Sequence, residues 1–159
     1  MDDIYQLGLD RIQIVSYKVT IMPVNTQFSI AVHLMAGLGY TKGCDITSAY
    51  LAKSINTSPS FVRRILAKLS KADLVSTTTG KTGSCLLAKK PADISLLDIY
   101  KAVDAPRVFA IHDYPEQKSC AVSCSIKSVI GKVLDKTQCS MEKSLGESSL
   151  ADVIKDLPR

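Results

Sequence analysis

The chain has no tryptophan, and aromatic residues make up only 6% of it. Any core must therefore rest on Leu, Ile, Val and Ala, which pack by shape alone. Long apolar runs are missing as well. Nothing approaches the roughly 18–20 consecutive apolar residues that span a bilayer, so no membrane partner is expected. Five cysteines are an odd number, and no leader of charged, apolar and small-residue regions stands before them. That argues against a disulfide-stapled secreted domain and for a reducing, cytoplasmic setting. Zinc-type ligand spacing, a phosphate-cradling glycine loop and an activated nucleophile are all absent, so no catalytic residue, metal ligand or small-molecule effector is read here. His112 and Asp113 are adjacent and so point in different directions, which disqualifies them as a catalytic pair. His33, between Val32 and Leu34, reads as a boundary or core histidine.

What is present is a chain of 159 residues, 46% hydrophobic, with a net charge of +5. That length fits one compact domain or a small head with an appended element. The positive balance favours a polyanionic partner, though only mildly, because charge reports on association and not on fold.

The richest stretch runs from Asp45 to Leu87. DITSAYLAKSI carries a short helix signal that Thr47 can cap, followed by the turn NTSPS. Ser58-Pro59 then supplies a cap with proline at the first helical position. In FVRRILAKLSKADLV, Val62, Ile65, Leu66 and Leu69 share one face, Ser60, Arg64 and Lys71 lie opposite, and Arg63 and Lys68 sit on the flanks. Two β-prone runs, 75–79 and 84–87, are joined by Gly80-Lys81-Thr82-Gly83, a hairpin tip with glycine at both corners. Two close-packed helices, the second basic on its outer face, plus a hairpin predict a winged helix-turn-helix, a part built to enter a DNA groove.

Elsewhere the pattern is mainly helical. Residues 1–21 fit the remainder poorly, with loose alternation from Ile12 to Ile21. They form an N-terminal extension that either belongs to the natural chain or precedes a start at Met22. From Asn25 or Thr26, as caps, a helix carries Phe28, Ala31, Val32, Met35 and Leu38, and Gly37, Gly39 and Gly43 are expected to close it. Ser95 caps a helix with Asp98 placed for a capping box. Residues 105–118, with Pro106 and Pro115, read as a linker with little regular structure. From Ser119 to Leu145 lies the longest helix signal. Its apolar stripe comprises Ile126, Val129, Ile130, Val133, Leu134, Thr137, Met141 and Leu145, and Gly146 is expected to stop it. So long a stripe exceeds what a head of about 80 residues can cover, and a twofold mate is the simplest second surface. Ser149 caps a last short helix. The division expected is a head over 22–104, a linker over 105–118, and a dimerisation helix with a short C-terminal helix over 119–159.

The order of these segments resembles the Rrf family of bacterial winged-helix regulators, most closely its YwnA-like branch. FSIAVHLMAGL leads to LAKSINTSPSFVRRILAKLSKADLV, the glycine-flanked wing, LAKKPADISLLDIYKAVD, a cysteine-led long helix and SSLADVI. The resemblance covers Met22 to Leu157. It implies a homodimeric, sequence-specific DNA-binding regulator, a repressor, with the long helix crossing its partner's; it implies no enzyme. A winged-helix module that docks protein and binds no DNA is the alternative. On this reading Ser58, Ser60 and Arg64 face the major groove, and Arg63 and Lys68 reach bases or flanking phosphates. Thr77, Thr79, Lys81 and Thr82 on the wing meet the backbone or a minor groove. Cluster-binding members of the family hold an iron–sulfur cluster through three nearby cysteines. Here the local set is only Cys120 and Cys124, four apart on one helix face; Cys139 is 15 residues further along. A thiol switch at Cys120 and Cys124 is therefore favoured over a cluster, with Cys120 activated by the helix N-terminus and by Lys118. Cys85 and Cys139 are expected to be structural.

Overall fold

A computed structural model describes residues 26–41, 46–78 and 83–158. The expected extension over 1–21 and the wing-tip residues Thr79, Lys81 and Thr82 lie outside the described residues. The architecture is mainly α with one small antiparallel sheet: α1 (Gln27–Tyr40), α2 (Ser48–Ile55), α3 (Pro59–Lys71), β1 (Val75–Thr77), β2 (Cys85–Leu87), a 3₁₀ turn (Pro91–Asp93), α4 (Leu96–Ala102), α5 (Ala121–Glu147) and α6 (Leu150–Lys155).

Local chemistry sets most of these boundaries. Thr47, Ser58, Ser95 and Ser149 each cap a helix by accepting a backbone N–H three residues on, and Ser95 and Ser149 complete capping boxes with Asp98 and Asp152. Thr26 holds the N-cap position of α1 but makes no side-chain cap bond. Asn56 closes α2 in the left-handed region at φ 58°, which an asparagine tolerates, and this makes the tight turn into α3.

Glycine does not end the helices where it was expected to. The first helix runs through Gly37 and Gly39 to Tyr40, and α5 runs through Gly146 to Glu147. Of these, Gly39 serves a close approach instead. A Cβ on Gly39 would lie 2.5 Å from Ile154 Cδ1, and one on Gly37 would touch Leu51 at 3.4 Å.

The core is aliphatic. Leu34 and Met35 of α1, Ile65 and Leu69 of α3, Ile94, Ile99 of α4 and Leu150 of α6 are fully buried together, and no polar side chain is buried among the described residues. The presence of Leu150 there divides the C-terminal region. Segment 148–150 pairs with 94–96, through Leu96 N–H to Ser148 O at 2.9 Å and Leu150 N–H to Ile94 O at 2.8 Å. Tyr40 then donates to Pro158 O at 2.8 Å. So α6 packs with the head, and only α5 stands apart from its core.

The segment 105–118 has no helix or strand, yet it is not free of the rest. It runs back antiparallel along α5 as a strap. Arg107 pairs with Asp135, Val108 N–H donates to Gln138 Oε1 at 3.2 Å, and Ile111 lies against Gly131. Further on, Lys127 Nζ donates to Tyr114 O at 2.7 Å, and Gln117 N–H to Ser123 Oγ at 2.8 Å.

Candidate nucleic-acid interface

The exposed end of α3 is built from its own cap. Ser58 Oγ accepts from Phe61 N–H at 3.3 Å and shares a hydrogen bond with Ser60 Oγ at 3.1 Å. Val62, Ile65, Leu66 and Leu69 hold the opposite face in the core. That leaves Ser58, Ser60, Arg63 and Arg64 exposed along one rim. Among the described residues no carboxylate pairs with either arginine. Arg64 instead lies over the ring of Phe61, its Cζ 5.3 Å from the centroid. Phe61 was not anticipated as a functional residue. The signal was there, an aromatic three positions before an arginine on a helix, but such a pair reads equally well as core and surface.

Lys68, on the flank of the same helix, is committed elsewhere. Its ammonium donates to Val103 O at 3.0 Å and Gln27 Oε1 at 3.2 Å, and pairs with Asp104 at 3.4 Å. Those contacts tie α3 to α1 and to the end of α4. The wing is closed at its base by the β1–β2 register Val75↔Leu87, Ser76↔Leu86 and Thr77↔Cys85, with Cys85 N–H also donating to Ile46 O at 2.8 Å. Above it, Thr78 and Ser84 bond each other through backbone and side chain. Thr77 is exposed beside this closure. A helix-turn-helix with a two-stranded wing is thus assembled, and the exposed N-terminal half of its second helix carries two arginines with no carboxylate partner among the described residues.

Comparison with known proteins gives the arrangement a family. Residues 24–156 match Rrf2, described as iron-dependent transcriptional regulators. The chain belongs to the Rrf2 family. YwnA of Bacillus subtilis strain 168, by name a candidate HTH-type transcriptional regulator, is 35% identical over 135 residues, covering 84% of this chain and 98% of YwnA. A solved candidate DNA-binding protein superposes with a TM-score of 0.63 at 31% identity, over 80% of this chain and 98% of that one. CymR, the global cysteine regulator of B. subtilis, shares the fold, with a TM-score of 0.62 at 18% identity over 85% and 98% of the two chains. This Rrf2 protein is accordingly a transcriptional regulator of winged-helix type and not an enzyme.

Iron dependence in the family description makes the donor set of this Rrf2 chain worth testing. Among the described residues no three His, Cys, Asp or Glu side chains cluster closely enough to hold a metal ion. Cys139 is roughly 22 Å beyond Cys124 along a rigid helix, and Cys85 is buried in β2. The described residues of a single chain therefore do not fit a cluster. Cys120 and Cys124 are both free and exposed at the start of α5. Cys120 occupies the N-cap without a side-chain cap bond, and Cys124 Sγ lies 3.7 Å from Gln117 O and 3.9 Å from Lys118 O. Cys139, expected to be structural, is also exposed, whereas Cys85 is buried and its thiol is pushed above the ordinary value by that burial. His33, which hydrogen-bonds Ser54 Oγ at 3.0 Å, is a surface boundary residue.

The long helix of the Rrf2 chain buries none of its residues. Ile126, Val129, Ile130 and Val133 of the stripe are exposed, Val129 by 59% and Val133 by 55%. Leu134, Met141 and Leu145 are half-buried, toward the end where α5 packs on α4. No helix among the described residues is long and apolar enough to cross a membrane.

Proposed function

We propose that this protein is a cytoplasmic, homodimeric repressor that grips a pseudo-palindromic duplex operator with its two α3 helices in successive major grooves. The observation that carries the reading is the pair Arg63 and Arg64, exposed at the N-terminal half of α3 with no carboxylate pairing with them among the described residues. Ser58 and Ser60 face the same groove, while Thr79, Lys81 and Thr82 on the wing hold phosphates that set register and salt dependence. The bare apolar stripe of α5, Ile126 to Val133, takes the partner's α5, with Leu134 and Met141 continuing the seam, and half-sites then fall about one helical turn apart. A protein-docking winged helix would not need the arginines free of acidic partners. The test is a mobility shift on the DNA upstream of the protein's own gene. Arg64→Ala together with Lys81→Ala abolishes the shift while leaving the circular dichroism unchanged. A double variant that binds as tightly as the parent removes the DNA reading and leaves protein docking.

A second reading rests on the exposed thiols at the start of α5. Attack of a Cys120 or Cys124 thiolate on hydrogen peroxide cleaves the O–O bond, leaves a sulfenic acid and expels hydroxide, which takes a solvent proton to become water. Condensation with the second thiol expels another water and forms a disulfide. Either product disturbs the turn where Gln117, Ser123 and Cys124 are tied together, and through it the spacing of the two heads. Equal operator affinity before and after peroxide treatment removes the switch without touching the DNA reading.

A further inference from the structure

Two adjacent arginines on α3 differ in what supports them. Arg63 is exposed and has no ring contact among the described residues, whereas Arg64 lies over the Phe61 ring one turn earlier, with its Cζ 5.3 Å from the centroid. Phe61 is itself half-buried and packs against the core that Val62 and Ile65 complete. The ring is therefore anchored from below while its face is offered to the neighbouring guanidinium. An aromatic face limits the rotamers of an arginine without consuming its N–H donors or neutralising its charge. A carboxylate in the same place would do both. Major-groove recognition of guanine by arginine needs two donors presented together to O6 and N7, so it gains most from such an anchored side chain. A phosphate contact tolerates a mobile one.

We infer that Phe61 is a positioning residue for Arg64, and that this pair, not Arg63, reads a guanine in each operator half-site. The inference rests on the DNA-binding reading above and deepens it. Arg63, lacking such a support, is left to the phosphates.

The experiment uses the full chain and a duplex selected from a random-sequence library by the parent protein. Affinities are measured for that duplex, for copies in which each guanine of a half-site is replaced by adenine, and for an unrelated duplex. The parent loses roughly tenfold or more at one guanine position. Arg64→Ala erases that preference, while Arg63→Ala weakens all duplexes alike. Phe61→Leu keeps an apolar side chain against the core but removes the ring face. It reduces the preference by roughly two- to fivefold, with thermal stability and binding to the unrelated duplex held. Phe61→Tyr restores the preference, and on the Arg64→Ala background Phe61→Leu changes it no further. A Phe61→Leu protein that is stable and fully discriminating overturns the positioning role. An Arg64→Ala protein that weakens every duplex equally overturns the guanine assignment while leaving DNA binding intact. Failure of the parent to enrich any duplex overturns the underlying reading itself.

Discussion

Lys68 of α3 donates to the carbonyl oxygen of Val103 at 3.0 Å, and Val103 is the residue that closes α4. A cation at a helix C-terminus satisfies an orphan carbonyl and opposes the negative end of the dipole. With Gln27 and Asp104 as further partners, the ammonium fastens three helices together. Its loss should therefore be felt in the fold before it is felt on DNA. Lys68→Met is expected to lower unfolding stability by about 1–2 kcal/mol, measured by urea denaturation. The salt dependence of operator affinity should stay at the parent's slope. A slope reduced by about one unit with unchanged stability would make Lys68 a phosphate contact instead.

The four described cysteines divide by burial, and that division is testable residue by residue. Cys85 is 5% exposed, and burial holds its thiol in the protonated form above the ordinary range. Cys120, Cys124 and Cys139 are exposed. Only the thiolate alkylates, so peptide-resolved labelling near neutral pH should modify those three rapidly, and Cys85 only after denaturant is added. Rapid modification of Cys85 in the folded protein would show that the β1–β2 wing opens far more readily than its pairing suggests.

The helix-turn-helix was legible because each of its boundaries is written locally. Thr47 and Ser58 cap, Pro59 follows at the first helical position, and Val62, Ile65, Leu66 and Leu69 recur at helical spacing. Ser95 and Asp98 announced their capping box in the same way. Misreadings arose where meaning is set by a distant neighbour. Gly39 resembles a stop signal until Ile154 is seen occupying the space where its side chain would stand. The contacts of residues 105–118 with α5 were not legible either, because they join positions 6 to 30 apart and mostly use main-chain groups of the segment. For Lys68, placed by the sequence on the flank of α3, nothing in its own helix announces the contact with the carbonyl of Val103. Among the candidate site residues, the exposure of Arg63 and Arg64 was visible from charge and phase; the ring beneath Arg64 was visible only as an apolar letter.

Two capping boxes give the fold an acid limb. The Asp98 carboxylate is held below its ordinary range first by the Ser95 hydroxyl, with partial burial opposing and the Ser95 N–H adding to the shift. Asp152 is lowered by the Ser149 hydroxyl and then by the Ser149 N–H. In both cases the unfolded chain takes up the proton first as pH falls. The stabilisation is therefore fully present above the ordinary carboxylate value of 3.8 and is lost as pH drops through the folded values. Thermal midpoints recorded across this range should fall below about pH 4. Asp98→Asn combined with Asp152→Asn should start from a lower midpoint at neutral pH and show a flatter acid limb. An unchanged limb in the double variant would place the acid sensitivity on other carboxylates.

The exposed half of α5 allows assembly and folding to be separated by mutation. Val129 and Val133 are more than half exposed within one chain, so placing a charge at either position costs the isolated chain little. Across a twofold seam the same charge would be desolvated without a partner, at a cost of about 3–5 kcal/mol. Val129→Glu with Val133→Glu should therefore raise the dimer dissociation constant roughly a hundredfold or more, read by analytical ultracentrifugation. Helical content and thermal midpoint at low concentration should match those of the parent. Operator binding should weaken steeply as well, because one head alone reaches a single half-site. A double variant that remains dimeric would move the seam to another face of the molecule. The strap is then the next surface to mutate, since Val108, Phe109, Ile111 and Tyr114 present further exposed apolar side chains beside α5.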